Sequence, residues 1–119
     1  MKVYLAGPMS WVPHFNRPAF DAAAEKLRAK GHKVFNPVDR DIRVYGAEMF
    51  DSNPTGDPAQ AAREFGFKRN EALRADFNWI VNQAEGIALL PGWEESSGAG
   101  AEFAIADELD LEVIPVEDE

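Results

Sequence analysis

The chain of 119 residues contains no cysteine, only two histidines, and 12 basic residues against 21 acidic ones. The absence of cysteine excludes disulfides, thiolate zinc sites and cysteine nucleophiles, and it is compatible with the cytoplasm. Because His14 and His32 stand in unrelated contexts, no ligand set has the spacing of a catalytic zinc site. We therefore expect no metal and no other cofactor.

The sequence also lacks long apolar runs and an excess of basic residues. No segment is long enough to span a bilayer, and the N-terminus lacks a signal-peptide pattern. The formal net charge of −9 argues against binding to a nucleic-acid polymer, which requires a basic surface. Hydrophobic residues nevertheless make up 45% of the chain, enough for a buried core. We expect one cytoplasmic domain over residues 1–119 that binds no membrane.

Short β-prone segments alternate with helical ones along most of the chain. Strands are predicted at 2–6, 33–35, 86–90 and 112–116, and helices at 19–30, 68–84 and 99–109. This alternation predicts a parallel sheet of four to five strands with helices on both faces. The fold class is therefore α/β, a small three-layer fold of the flavodoxin or Rossmann-like type.

Residues 38 to about 63 show the least regular pattern and include the turn-like run 52–58. We expect an irregular loop here, with a short helix near 59–64 as an option. A loop of this length in a small domain is usually functional or partly disordered. The acidic tail at 117–119 is expected to fray.

Glu102 is the most unusual residue of the predicted helices. Its neighbours at the third and fourth positions beyond it, Ile105 and Ala106, are apolar. A carboxylate on the buried face of a helix is costly unless it is paired or used. The small residues before it would let a ligand approach the free N–H groups of the first helical turn. The alternative is a carboxylate on the rim that stabilises the helix N-terminus.

Asp76 is the second candidate acid, because it borders an apolar helical stripe formed by Leu73, Phe77 and Ile80. Alternatively it is solvated, or ion-paired with a neighbouring basic residue. Two carboxyl groups beside a cleft suit glycosidic chemistry, in which one attacks the sugar and the other moves a proton. The transition state resembles an oxocarbenium ion, which nearby negative charge stabilises.

Three predicted loops follow strands, and in a parallel sheet they gather at one edge. Their residues are candidates for binding a sugar, a phosphate or a base. The candidates are Gly7, Pro8, Met9, Ser10, Asn16, Asn36, Trp93, Ser96, Ser97 and Gly98. Helix capping by the serines, turn roles for the asparagines and simple packing of the tryptophan are the alternatives.

The segments YLAGPM, NP, DFNWIVNQAEGIALL and SSGAGAE, in this order, resemble the nucleoside 2-deoxyribosyltransferase superfamily, which includes 2′-deoxynucleoside 5′-monophosphate N-glycosidases. The GPM and LLPGWEESSGAGAE segments are most similar to small proteins common in bacteriophages. The resemblance implies that Glu102 is the nucleophile, that Asp76 is the second acid and that Tyr4 contacts the nucleophile. It also implies that Ser96 binds a 5′-phosphate and that the protein forms a homodimer or larger homo-oligomer.

Several functions remain open at this point. The expected substrate is a small molecule, a 2′-deoxynucleoside or its 5′-monophosphate, and the reaction is either cleavage or transfer of the N-glycosidic bond. One alternative is a nucleotide-binding module without catalysis, since this fold class hosts many functions. Another is a phage protein that acts in the host cytoplasm and offers its acidic surface to a host partner.

Overall fold

The structure, a computed structural model, describes residues 1–116 of the chain. The strands are β1 (Lys2–Ala6), β2 (Lys33–Phe35), β3 (Gly86–Leu89) and β4 (Glu112–Pro115). The helices are α1 (Arg17–Ala29), α2 (Pro37–Tyr45), α3 (Glu48–Asp51), α4 (Pro58–Phe65), α5 (Arg69–Asn82) and α6 (Ser97–Glu108). The acidic tail at 117–119, which was expected to fray, lies outside the described residues.

The four strands of residues 1–116 form one parallel sheet with the order β2-β1-β3-β4. After β1 the chain forms β2 on one side of β1, and it then crosses to form β3 on the opposite side of β1. This reversal makes the carboxyl ends of β1 and β3 the topological switch point, where ligands bind in open α/β sheets. The predicted parallel α/β sheet is confirmed, and the reversal determines where the site lies.

Side chains that alternate along β1 separate the core into two halves. Val3 and Leu5 pack on one face of the sheet with α1 and with residues from α2, α3 and α4. Tyr4 and Ala6 pack on the opposite face with α5 and α6. Because strand side chains point alternately to opposite faces, one short strand supplies both cores and the fold has three layers.

The predicted irregular loop at about 38–63 is wrong, because three helices occupy most of this region, but the optional short helix near 59–64 is present as α4. Asn36 caps α2 by accepting a hydrogen bond from the Val38 N–H at 3.1 Å, and Asp57 caps α4 in the same way. Pro37 and Pro58 occupy the first helical positions, where a missing N–H costs nothing. The Asn36-Pro37 and Asp57-Pro58 pairs, which were interpreted as turns, are therefore helix starts.

The other predicted helices are present with shifted ends. The helix predicted at 99–109 begins two residues earlier, as α6, because the Ser96 hydroxyl accepts from the Ala99 N–H at 3.3 Å. Ser97 and Gly98 thus belong to its first turn, where free N–H groups are available. The longest helix, α5, has 14 residues, and no helix within residues 1–116 has the length and apolar character of a membrane span.

Candidate functional site

A cavity of about 600 Å³ opens at the carboxyl ends of the strands. Its wall includes residues 7–12 after β1, Pro37 and Asp41 in α2, part of α5, and residues 95–99 at the start of α6. The three loops that follow strands therefore gather at one edge, as predicted from the sheet. The volume is typical of small-molecule sites, which range from about 300 to 1,000 Å³.

Glu102 is buried in the wall of this cavity, with 6% of its surface exposed. The Tyr4 hydroxyl donates to Glu102 Oε2 at 2.6 Å, a short hydrogen bond. Tyr4 itself is fully buried and stacks on Phe35 with ring centroids 5.5 Å apart. The predicted contact between Tyr4 and Glu102 is confirmed, and the alternative of a solvated carboxylate on the rim is wrong.

Asp76 lies in the same wall, contributed by α5, and is 8% exposed. Its Oδ1 atom is buried and finds no hydrogen-bond partner among residues 1–116. The alternative of a solvated or ion-paired Asp76 is therefore wrong, and the neighbouring Lys68 instead approaches Glu71 at 3.9 Å. A buried polar atom without a partner is rare in folded proteins and is a mark of functional sites.

Burial raises the proton affinity of both acids. Burial raises the pKa of Glu102 well above its usual range, and the charge of Asp76 raises it further, whereas the Tyr4 hydrogen bond lowers it. Burial raises the pKa of Asp76 to about 7, while hydrogen bonding to Tyr4 and Glu102 opposes the shift. Two adjacent buried carboxyl groups resist ionising together, so the pair retains a proton near neutral pH.

Asp41, in α2, is a third buried acid of the cavity wall, with 4% of its surface exposed. Arg40 Nη1 donates to Asp41 Oδ1 at 3.1 Å, and both side chains are largely buried. Burial raises the pKa of Asp41 to about 6, and the Arg40 guanidinium opposes the shift. Sequence analysis missed this acid because it treated the region as a loop. The available signal was the helix start at Asn36 and Pro37, since residue 41 shares a helix face with residue 37.

Most of the predicted binding residues line the cavity. They are Gly7, Pro8, Met9, Ser10, Ser96, Ser97 and Gly98. At Gly7 a Cβ would lie 2.7 Å from Leu90 Cβ, so the close approach of the first loop to β3 requires glycine. Ser96 both caps α6 and lines the cavity.

Three predicted binding residues lie outside the cavity wall, and their assignment to the site is corrected. Asn16 donates to the Pro8 carbonyl at 3.0 Å and so fixes the first loop. Asn36 caps α2, and Trp93 packs on Phe103 with ring centroids 4.7 Å apart. Each has the turn, capping or packing role that was the alternative interpretation.

Trp11 and Arg69 also line the cavity, and they offer an aromatic ring and a cation instead of a carboxyl group. Trp11 is 67% exposed and supplies a large aromatic surface beside the opening. Arg69 Nη2 lies 4.0 Å from the position that a Cβ on Gly98 would occupy, so a cation stands beside the α6 N-terminus. Within residues 1–116, no three histidine, aspartate or glutamate side chains are grouped so as to hold a metal ion.

No curated protein and no solved structure shows significant similarity to the chain. A family model described as a domain of unknown function matches residues 1–115, which include every strand and helix described above. Because that match spans nearly the whole chain, the protein belongs to the DUF4406 family.

Proposed function

We propose that the protein cleaves or transfers the N-glycosidic bond of a 2′-deoxynucleoside or its 5′-monophosphate, with Glu102 as nucleophile. The observation that carries this proposal is the carboxyl group of Glu102, buried in the cavity wall and held by the Tyr4 hydroxyl at 2.6 Å. The second buried acid, Asp76, and the sequence resemblance to deoxyribosyltransferases support it.

A pair of buried acids suits this reaction because its transition state is positively charged. As the bond between sugar and base breaks, the anomeric carbon becomes oxocarbenium-like, and a nearby carboxylate stabilises that charge. In a largely apolar cavity this attraction is stronger than in water. The hydrogen bond from Tyr4 fixes the Glu102 carboxyl group and favours its charged form.

In the first step, the proton shared by the acid pair lies on Asp76, and the ionised Glu102 carboxylate attacks C1′ of the deoxyribose. The N-glycosidic bond breaks, its electron pair stays on the base nitrogen, and the proton retained by Asp76 moves to the base. The products are the free base and a deoxyribosyl ester of Glu102. The raised pKa of Asp76, about 7, is appropriate for a group that must carry this proton near neutral pH.

In the second step, the ester is consumed and both acids return to their initial states. Water attacks C1′, its proton passes to Asp76, and the Glu102 carboxylate leaves, which completes hydrolysis. If a second base enters instead, its ring nitrogen attacks C1′ and loses its proton to Asp76, which completes transfer.

The remaining cavity wall offers surfaces for the rest of such a substrate. Aromatic side chains of Trp11, Phe15 and Phe67 provide planar apolar contacts suited to a base. Ser96 and Ser97, at the start of α6, line the same cavity as Arg69 and suit the 5′ end of the sugar, with or without a phosphate.

The proposal is tested by incubating the protein with the four common 2′-deoxynucleosides and their 5′-monophosphates, with and without an acceptor base. We expect release of free base, and Glu102→Gln should lower its rate by about 10³-fold or more because the nucleophile is lost. Base exchange only in the presence of an acceptor indicates a transferase, whereas release without an acceptor indicates a hydrolase.

The matched control is Glu108→Gln, which removes an exposed carboxylate from the same helix. It should leave the rate unchanged. If the folded protein turns over no member of the panel, the catalytic proposal is wrong. Thermal stabilisation by a nucleotide without any product would then favour a binding module.

A further inference from the structure

We infer that the site selects bases in which an exocyclic amino group stands beside a ring-nitrogen acceptor, as in adenine and cytosine, and that Asp41 and Asp76 read this edge. The inference rests on the proposed function and adds the substrate class to it. The juxtaposition that carries it is two buried acids that line one cavity, of which Asp41 is bound to a cation and Asp76 is not.

Of Asp41 and Asp76, Asp41 is the hydrogen-bond acceptor. The Arg40 guanidinium donates to its Oδ1 at 3.1 Å, and the two side chains are only 14% and 6% exposed. A buried ion pair of this kind keeps the carboxyl group ionised, and an ionised carboxylate accepts hydrogen bonds and donates none. Its lone pairs exceed what one Arg40 contact uses, so it remains an acceptor for a group in the cavity.

Of Asp41 and Asp76, Asp76 is the hydrogen-bond donor. Among residues 1–116 it forms no ion pair, and its buried Oδ1 has no hydrogen-bond partner. The negative charge of Asp41 lies close enough to raise its proton affinity further. A protonated carboxyl group donates through its O–H, and a buried polar atom without a partner in the protein is free to pair with a ligand.

A donor beside an acceptor is complementary to only some base edges. Adenine presents an N7 acceptor beside the 6-amino donor, and cytosine presents its N3 acceptor beside the 4-amino donor. In hypoxanthine and uracil a carbonyl oxygen replaces that amino group and would face the Asp41 carboxylate, acceptor against acceptor. Because Pro37, Phe67 and Leu73 line the same cavity, such a mismatch would not be relieved fully by water.

The test compares two substrate pairs that differ only by amino against oxo: 2′-deoxyadenosine with 2′-deoxyinosine, and 2′-deoxycytidine with 2′-deoxyuridine. We expect kcat/KM to be higher for the amino member of each pair by about tenfold or more. Asp41→Asn keeps the side-chain size but adds an N–H donor, so both ratios should fall to about one or below. Equal kcat/KM values within both pairs for the wild-type protein would overturn the inference and leave the glycosidase proposal standing.

A second variant and a binding measurement make the result independent of Asp41→Asn folding and of catalysis. Arg40→Gln removes the cation that keeps Asp41 ionised and should lower the same two ratios. If no substrate is cleaved, the catalytic proposal fails by itself, and calorimetry with adenine against hypoxanthine and cytosine against uracil decides the inference. Tighter binding of the amino bases supports it, and equal or absent binding of the amino bases contradicts it.

Discussion

The cavity has two acidic walls that hold their carboxyl groups in different ways. In the first, which we call the acid-pair wall, Asp76 and Glu102 form no ion pair among residues 1–116, and the Tyr4 hydroxyl donates to Glu102. In the second, the α2 wall, Asp41 is bound to the Arg40 guanidinium at 3.1 Å. All three acids are nearly fully buried, so burial alone does not explain the difference.

The comparison shows how one small cavity can hold a proton and a negative charge at the same time. An acid without a cation retains its proton when it is buried, whereas an acid beside a guanidinium gives it up more readily. Burial accordingly raises the pKa of Asp76 to about 7 and that of Asp41 to about 6. The predictions below test the two walls separately.

The largest effect on activity is expected from a substitution in the acid-pair wall. Asp76→Asn removes the proposed proton donor and should lower the turnover of a deoxynucleoside by about 10²- to 10⁴-fold. Steady-state assays at a fixed pH measure it. Asp107→Asn, which removes an exposed carboxylate from α6, is the control and should be neutral. Wild-type turnover in Asp76→Asn would remove this residue from the mechanism.

The two walls should also differ in how stability depends on pH. Folding raises the pKa of Asp76 from its ordinary value of 3.8 to about 7. It raises the pKa of Asp41 from the same ordinary value to about 6. The folded state therefore binds more protons than the unfolded state between these values, and the free energy of unfolding falls as pH rises. Between pH 5 and pH 8 the loss should be about 4 kcal/mol.

Urea denaturation at several pH values measures this dependence, and variants separate the two contributions. Asp76→Asn should flatten the curve up to about pH 7, whereas Asp41→Asn should flatten it only up to about pH 6. Stability that rises across this range in the wild-type protein would show that the acids are not buried as described.

The contact between the loop after β1 and the segment that joins α3 to α4 is expected to be sensitive to a single methyl group. Gly56 has φ +70°, and a Cβ there would lie 2.2 Å from the Val12 carbonyl oxygen. Gly56→Ala should therefore destabilise the protein by about 2–3 kcal/mol and displace the first loop. Gly66→Ala, at the same φ of +70° with no atom within 4 Å of a Cβ, should cost only about 1 kcal/mol. Equal unfolding midpoints for the two variants would contradict this contact.

A smaller effect on stability is expected at the hydroxyl that holds Glu102. Tyr4→Phe keeps the ring stacked on Phe35 but removes the 2.6 Å hydrogen bond. It should cost about 1–2 kcal/mol of stability and raise the pKa of Glu102 further, which lowers activity near neutral pH. Tyr45→Phe, which removes a hydroxyl that accepts from the Lys68 N–H near the surface, is the control. Identical pH profiles for the wild-type protein and Tyr4→Phe would exclude this role.

The fold could be predicted from the sequence because most elements carry a local signal. Gly86–Leu89 is a short apolar run, and α1 has apolar residues at helical spacing, so strands and helices alternate visibly. Of the helices between residues 37 and 65, only α4 had been considered, as the optional short helix near 59–64. α3 has only four residues, and α2 begins at an Asn-Pro pair, which also occurs in turns.

The residues of the site also differ in whether the local sequence reveals them. Glu102 stood out because its helical neighbours are apolar, so its burial could be inferred from local sequence. Asp41 was missed because the start of α2 at Asn36 and Pro37 was interpreted as a turn, so the helix face that residue 41 shares with residue 37 was not considered. Asn16 and Trp93 were misassigned because loop residues with polar or aromatic side chains serve turns and packing as often as ligands.

The central claim is that Glu102 becomes covalently bound to the sugar, and trapping that intermediate tests it most directly. A 2′-deoxy-2′-fluoro nucleoside slows breakdown of the glycosyl ester, so mass spectrometry of the intact protein followed by peptide mapping can locate the adduct. We predict one fluorodeoxyribosyl group per chain, on Glu102, and none in Glu102→Gln. Base release without any adduct on Glu102, or with the adduct on another residue, would contradict the account.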